Sequence, residues 1–98
     1  MSARVTYEHT SPQEFLELPR NLQVALRKAL EAIAKDSVHP PASLDVVRIR
    51  DHPGYWRLVL KDHRVVYRAE PALVEVWFIE IRTPETYDRL DELPDSGV

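Results

Sequence analysis

The sequence of 98 residues predicts an α+β fold, in which an N-terminal strand and a two-helix hairpin precede a three- to four-stranded antiparallel meander. Two observations support this prediction. Apolar residues recur with helical period between residues 20 and 35, and residues 55–82 contain three β-prone segments separated by short polar turns. Because the helices precede the meander instead of alternating with its strands, we expect both helices to pack on one face of the sheet.

The first elements along the chain are a strand and a short helix. Residues 4–8 alternate between polar and β-prone side chains, which predicts a strand. Ser11 stands directly before a proline and three residues before Glu14, the pattern of a capping box at a helix start. Pro19 ends this helix and suits the first turn of a second helix, which we expect over residues 20–35.

The second helix has one apolar face. The apolar residues at helical spacing are Leu22, Leu26, Ala29, Leu30 and Ile33, and charged residues fill the other face. We expect this face to lie on the sheet. The residues predicted to be buried there are Leu22, Leu26, Leu30, Ile33, Trp56 and Leu58.

The second half of the chain predicts the sheet and a tail. Residues 36–45 are expected to be a loop, since His39 is followed by two prolines that stop any helix. Residues 46–50 are either a short strand or an irregular lead-in. The remaining predicted elements are a turn at 51–54, strands at 55–60, 63–69 and 73–81, a helical turn at 84–90 and a frayed tail at 91–98.

The alternation of side chains along the strands separates two faces of the sheet. We assign Trp56 and Leu58 to the face that the helices cover, which places Arg57 on the opposite face. Arg64 and Arg68 share one face of the next strand. The turn at residues 61–62 decides whether that face is also the Arg57 face, because a one-residue slip in register inverts it.

The composition excludes several classes of protein and site. The chain has no cysteine, which excludes disulfides, thiolate metal sites and a cysteine nucleophile. His9, His39 and His52 have no metal-ligand spacing and are expected to be loop residues, whereas His63 is expected to be a half-buried packing residue. We expect neither a metal nor another cofactor. Since no segment has the apolar length of a signal peptide or a membrane span, we expect a single cytoplasmic domain over residues 1–98 that does not associate with membranes.

The charge is unevenly distributed, although the net charge is only −3. Residues 44–69 carry a net charge of +3, and residues 70–98 carry −6. The basic side chains include arginines inside apolar strands, where an unpaired charge is costly. The planar guanidinium group suits phosphate recognition, so these arginines are expected to border a binding site.

At these residues the chain resembles the RelE/ParE toxin superfamily of bacterial toxin–antitoxin systems. The helix pair matches in the segment FLELPRNLQVALRKALEAI, and the central hairpin matches in HPGYWRLVLKDHRVVYR. The last strand and tail match in VEVWFIEIRTPETYDRL. Together these segments cover most of residues 5–90. The pattern G-Y-W-R, followed by D-H-R-V-V-Y and by an arginine that ends the last strand, is moderately specific to the superfamily.

Within this superfamily, the resemblance favours the RelE-like branch. It implies a ribosome-dependent endoribonuclease that cleaves messenger RNA. In RNA-cleaving members, the RNA 2′-hydroxyl attacks the adjacent phosphate, and basic residues together with a C-terminal proton-handling residue assist. Carried over, this implies the catalytic residues Arg57, Arg64, Arg82 and Tyr87. The remaining basic residues expected to bind RNA are Arg48, Arg50, Lys61 and Arg68. The implied partners are an antitoxin protein, the ribosome and mRNA, and operator DNA bound through the antitoxin.

Other interpretations remain open at this point. The ParE branch shares the fold and inhibits DNA gyrase by binding, without chemistry. An inactive relative that binds only an antitoxin is a further alternative, since Val59 stands where the best-known RNA-cleaving members have a second lysine. In a purely structural interpretation, the strand arginines pair with Asp62, Glu75 and Glu80, and Tyr87 is a packing residue.

Overall fold

The computed structural model describes residues 2–81, and they contain two helices and five strands. In chain order the elements are β1 (Arg4–Tyr7), α1 (Ser11–Glu17), α2 (Arg20–Lys35), β2 (Asp45–Arg48), β3 (Tyr55–Leu60), β4 (His63–Glu70) and β5 (Leu73–Ile81). The predicted α+β element order is confirmed, and the segment near residue 46 is a true strand. The predicted helical turn and frayed tail lie outside the described residues.

The strands form one five-stranded sheet with the order β1-β5-β4-β3-β2. The pairs from β2 to β5 are antiparallel, as predicted for a meander. Strand β1 instead pairs in parallel with β5, with Arg4 opposite Leu73 and Tyr7 opposite Val76. The sheet is therefore antiparallel over four strands and mixed at one edge.

The main core lies between the helices and one face of the sheet. The predicted burial of Leu22, Leu26, Leu30, Ile33 and Leu58 is confirmed, and three of these side chains are completely inaccessible. Trp56 points to this face as predicted, but it is only partly buried. The Arg48 guanidinium group covers part of the indole, with its carbon 5.0 Å from the ring centre.

The predicted capping box at α1 is wrong, because both of its residues serve the sheet. The N-cap residue is Thr10, and no side chain caps the helix. The buried Ser11 hydroxyl lies 2.7 Å from the carbonyl oxygens of both Glu8 and Val76, and its one proton can be donated to either. Glu14 accepts a 3.0 Å hydrogen bond from the backbone N–H of Ile79. Strand β1 ends opposite Val76, so a helix side chain satisfies an N–H that lies beyond the end of that pairing.

Replacing Glu14 with alanine is expected to lower the free energy of unfolding by about 1.5–3 kcal/mol, because a partly buried N–H loses a charged acceptor. Hydrogen exchange should also accelerate at the Ile79 amide. Chemical denaturation and amide exchange measure these two effects. The matched control is Glu17→Ala on the exposed side of the same helix. Equal losses in the two variants would show that the Ile79 bond contributes nothing specific.

Tyr67 is a buried polar residue of the helix-side core. Its hydroxyl has no hydrogen-bond partner among residues 2–81, and burial raises its pKa far above the usual value. A raised pKa means that the folded state holds the phenolic proton more tightly than the unfolded chain does. The associated stability is present below about pH 10 and is lost as the pH rises toward the folded pKa.

Replacing Tyr67 with phenylalanine is expected to raise the free energy of unfolding by about 1–3 kcal/mol at neutral pH, since it removes an unsatisfied buried hydroxyl. The variant should also lose less stability than wild type between about pH 9 and pH 12. Urea denaturation across this pH range tests both effects. A destabilised variant would mean that the hydroxyl makes a favourable interaction in the folded protein.

Candidate functional site

The sheet face opposite the helices gathers three arginines. Strand register places Tyr55 opposite Arg68, Arg57 opposite Val66, and Val59 opposite Arg64. Directly opposed residues of an antiparallel pair point to the same face. Arg57, Arg64 and Arg68 therefore share one face, which is called the open face below. The turn at residues 61–62 therefore keeps Arg64 and Arg68 on the same face as Arg57.

Arg57 and Arg64 are diagonal neighbours on the open face. Arg57 pairs with Val66, and Arg64 is two residues before Val66 on the same strand. Diagonal positions of this kind lie about 7–8 Å apart, within reach of two long side chains converging on one anion. Two guanidinium groups so placed can contact different oxygens of a single phosphate.

Arg64 has the most unusual environment of the three. Its side chain is only 7% exposed. One terminal nitrogen donates a long 3.4 Å hydrogen bond to the His63 carbonyl oxygen, and the buried Nε has no hydrogen-bond partner among residues 2–81. Glu80 lies opposite Arg64 on β5, but no ion pair joins them. A buried cation with unused donors is destabilising by itself and is ready to receive an anion.

Arg68 is in contrast neutralised within the fold. One of its terminal nitrogens lies 2.6 Å from the Glu70 carboxylate, and the other lies 3.5 Å from Glu75. In the purely structural interpretation, Glu75 was a possible partner of the other strand arginines. In the structure, Glu75 pairs with Arg68 instead. We therefore expect Arg68 to contribute less to anion binding than Arg64.

Aromatic side chains border the arginines on the open face. A register shift in β5 inserts Trp77 between the residues that pair with Val66 and Tyr67, so Trp77 and Phe78 pack into the same small cluster. The His9 ring lies 5.3 Å from the Phe78 ring and 6.0 Å from the Trp77 ring. Phe78 is buried, whereas Trp77 is partly buried and His9 is exposed, so only the latter two rings can stack on nucleic-acid bases.

Sequence reasoning missed His9 and treated it as a loop residue. Its position depends on a non-local contact between the β1–α1 connection and β5, for which the sequence contains no short-range signal. The one local mark is a left-handed backbone conformation, with φ of 54°, which a non-glycine residue rarely adopts. That mark is visible only in the structure.

Tyr55 lies on the open face and keeps its phenolic proton. Desolvation by burial raises the pKa of its hydroxyl; the nearby Arg68 charge acts against this shift, and Glu75 adds to it. The phenol is therefore neutral at physiological pH. A neutral phenol can donate a hydrogen bond, but it cannot act as a base.

The other predicted site residues do not join this cluster or lie beyond the described chain. Lys61 is exposed in the β3–β4 turn, with φ of 54°. Arg48 shares the helix-side face with Trp56, its direct partner across β2 and β3, and Arg50 follows the end of β2. Arg82 and Tyr87 lie outside the described residues, so their roles stay predictions.

His63 lies on the other face from Arg64, because adjacent strand residues point to opposite faces. This position agrees with the expectation that it is a half-buried packing residue. Within residues 2–81, no group of histidine and acidic side chains is arranged to hold a metal ion. Neither helix in this part of the chain is long and apolar enough to cross a membrane.

Several solved structures share the fold of this chain. The E. coli toxin RelE in the free state, with two arginines replaced by alanine, superposes with a TM-score of 0.75 and 16% identity, covering 96% of this chain and 100% of RelE. A chain of the archaeal RelE–RelB complex from Pyrococcus horikoshii OT3 has a TM-score of 0.70 and 18% identity, covering 86% of this chain and 99% of that one.

A third similar structure is the RelB–RelE antitoxin–toxin complex from Methanococcus jannaschii, with a TM-score of 0.67 and 13% identity, covering 91% of this chain and 99% of that one. No protein-family model matches the sequence, and no curated protein matches it. At these identities the similarity establishes the fold. The RelE-like fold expected from the sequence is therefore confirmed.

Proposed function

We propose that this protein is the toxin of a type II toxin–antitoxin system and that it cleaves messenger RNA on the ribosome. The observation that carries the proposal is Arg64, a buried guanidinium with an unused Nε donor, diagonal to Arg57 on the sheet face opposite the helices. The shared fold with the E. coli toxin RelE supports the same conclusion.

The proposed reaction is transfer of a phosphodiester to the neighbouring 2′-hydroxyl. The 2′-oxygen attacks phosphorus, the bond to the 5′-oxygen breaks, and the products are a 2′,3′-cyclic phosphate and a 5′-hydroxyl. Negative charge grows on the non-bridging oxygens as the attack proceeds. Arg57 and Arg64 supply fixed positive charge at that point, and Arg64 is desolvated before the substrate arrives, so little reorganisation is needed.

The proton transfers are assigned to the C-terminal segment. In the proposal, the Tyr87 phenolate accepts the proton of the 2′-hydroxyl, Arg82 stabilises the departing 5′-oxygen, and water supplies the proton of the 5′-hydroxyl product. Tyrosine has a pKa of about 10 in water, so this role requires nearby cations that favour the phenolate. Arg57 and Arg64 are the natural source of that effect, since the resemblance places all four residues in one site.

The proposed regulatory partner is an antitoxin. The similar structures from Pyrococcus horikoshii and Methanococcus jannaschii were solved as RelE–RelB complexes, which supports a partner of this kind for the present chain. We propose that the antitoxin neutralises the basic open face and that the complex binds operator DNA through the antitoxin. The expected place of action is the cytoplasm, where ribosomes and mRNA are available.

The test is primer extension on mRNA incubated with the purified protein, with and without active translation. We expect new RNA ends only on translated mRNA, because a protein of net charge −3 binds free RNA weakly and the ribosome must present the substrate. DNA gyrase supercoiling is measured in parallel. Lost supercoiling without new RNA ends would replace this proposal with the gyrase inhibitor. Absence of both effects would favour the inactive antitoxin-binding relative.

A further inference from the structure

A second cationic feature lies at the other end of strand β3. The β2–β3 connection and the start of β3 enclose a cleft of about 400 Å³, lined by Arg48, Arg50 and Trp56 among others. The cleft reaches Tyr55 at the start of β3, whereas Arg64 pairs with Val59 four residues further along. At the rise of a β-strand these positions are about 13 Å apart, so the cleft is separate from Arg64. Arg48 and Trp56 in its lining lie on the helix-side face, opposite to Arg57.

Arg48 is held in position by an aromatic ring. Its guanidinium carbon lies 5.0 Å from the centre of the Trp56 indole, within the range of a cation–π interaction. This contact orients a side chain that is otherwise exposed, and it occupies one face of the guanidinium plane. The opposite face and the N–H edge of the group remain available to a ligand.

Among the described residues, no acidic side chain lines the cleft beside its two arginines. Its lining contains Arg48 and Arg50 but neither an aspartate nor a glutamate. Within the described part of the chain, no ion pair involves either arginine. This positive surface stands out on a chain with a net charge of −3, where the simplest use of an arginine would be to pair with an acid.

We propose that this cleft binds single-stranded RNA at a point away from the cleaved phosphate, with Arg48 and Arg50 on the backbone and Arg48 stacked on a base. The inference rests on the proposed function, since it gives the same RNA a second contact. The edge of each guanidinium donates to phosphate oxygens, and the free face of Arg48 receives the base. The contact would position the strand rather than take part in the chemistry.

An acidic peptide is the main competing ligand, and the geometry favours RNA over it. A carboxylate would use only the N–H edges of the two arginines. It would leave the planar face of Arg48, backed by Trp56, without a partner. An unstacked base fills that surface, because bases stack on guanidinium planes as they do on aromatic rings. Single-stranded RNA offers unstacked bases, whereas a duplex hides them.

The test is binding of a fluorescein-labelled single-stranded RNA to the whole protein, followed by fluorescence anisotropy over a salt series that begins near 50 mM, where phosphate contacts contribute strongly. The double variant Arg48→Gln and Arg50→Gln should bind about 10-fold more weakly or worse. The slope of log affinity against log salt should become shallower by about 1.4, the value for two lost phosphate contacts to a single strand.

The matched control removes the same charge elsewhere, through Arg20→Gln and Lys28→Gln at two exposed positions of α2. It should change the affinity less than about 2-fold, because neither side chain lies near the cleft. Equal losses in the two double variants would overturn the proposal, as would no loss in either. An unchanged RNA affinity together with weakened binding of a polyglutamate peptide would assign the cleft to an acidic protein segment instead.

A second readout locates the RNA. The chain has two tryptophans, so Trp77→Phe leaves Trp56 as the sole indole. RNA should then change the Trp56 emission, and the change should disappear when Arg48→Gln and Arg50→Gln are added. These measurements use neither ribosomes nor cleavage. If the wild-type protein produces no new RNA ends on translated mRNA but shows this binding pattern, the proposed reaction is refuted and the proposed RNA-binding role of the cleft is retained.

Discussion

Replacing Arg64 with methionine is expected to slow mRNA cleavage by about 10²–10³-fold, the usual effect of losing one preorganised donor to a transition-state oxyanion. The folded protein should at the same time be as stable as wild type, or more stable by about 1–3 kcal/mol, because a buried group with an unused donor is replaced by an apolar one. Single-turnover cleavage and urea denaturation measure the two effects separately.

The opposite signs of these effects make the prediction informative. Replacing a residue that only supports the fold lowers both the stability and the activity of the protein. Replacing a residue that is held in place for a ligand lowers the activity alone. Arg20→Met repeats the substitution at an exposed position of α2 and should leave both quantities unchanged. A variant with full cleavage activity, or with stability lowered by several kcal/mol, would remove Arg64 from the site.

Replacing Leu26 with alanine is expected to lower the free energy of unfolding by about 2–5 kcal/mol. Leu26 is fully buried in the core between α2 and the sheet, so removing its side chain leaves a cavity there. A protein of this size has a total stability of about 5–15 kcal/mol, so the variant should be partly unfolded under mild denaturing conditions.

The same substitution at Leu16 is the control. Leu16 lies on α1 with 69% of its surface exposed, so Leu16→Ala should change the unfolding free energy by less than about 0.5 kcal/mol. Thermal or urea unfolding of the two variants provides the comparison. Similar values for both would show that the helix-side core is not the main source of stability.

Most local elements of this fold could be predicted from the sequence, because their signals lie within a few residues. The bounds of α2, β3 and β5 agree with the prediction, since helical or β-prone patterns are long and uninterrupted there. The parallel pairing of β1 with β5 could not be predicted. It joins residues about 70 positions apart, and such pairing is set by the whole topology rather than by a local motif.

The candidate site was predictable in composition but not in arrangement. Arginines on β3 and β4 are expected to border a site because they lie inside apolar strands, and this stays a prediction. Whether these arginines share a face depended on the length of one turn. The position of Arg48 on the other face could not be predicted, because the pairing of β2 has no signal in the sequence. Glu14 was likewise assigned to a local capping motif, whereas its partner is a backbone group of β5.

The most direct test of the central claim is the chemical nature of the RNA ends produced during translation. Translated mRNA treated with wild-type protein should acquire new fragments with 5′-hydroxyl ends and 2′,3′-cyclic phosphates, and the Arg64→Met variant at equal concentration should produce about 10²–10³-fold fewer. These ends follow from attack by the neighbouring 2′-hydroxyl. Fragments with 5′-phosphate ends, or no fragments from wild-type protein, would contradict the proposed reaction.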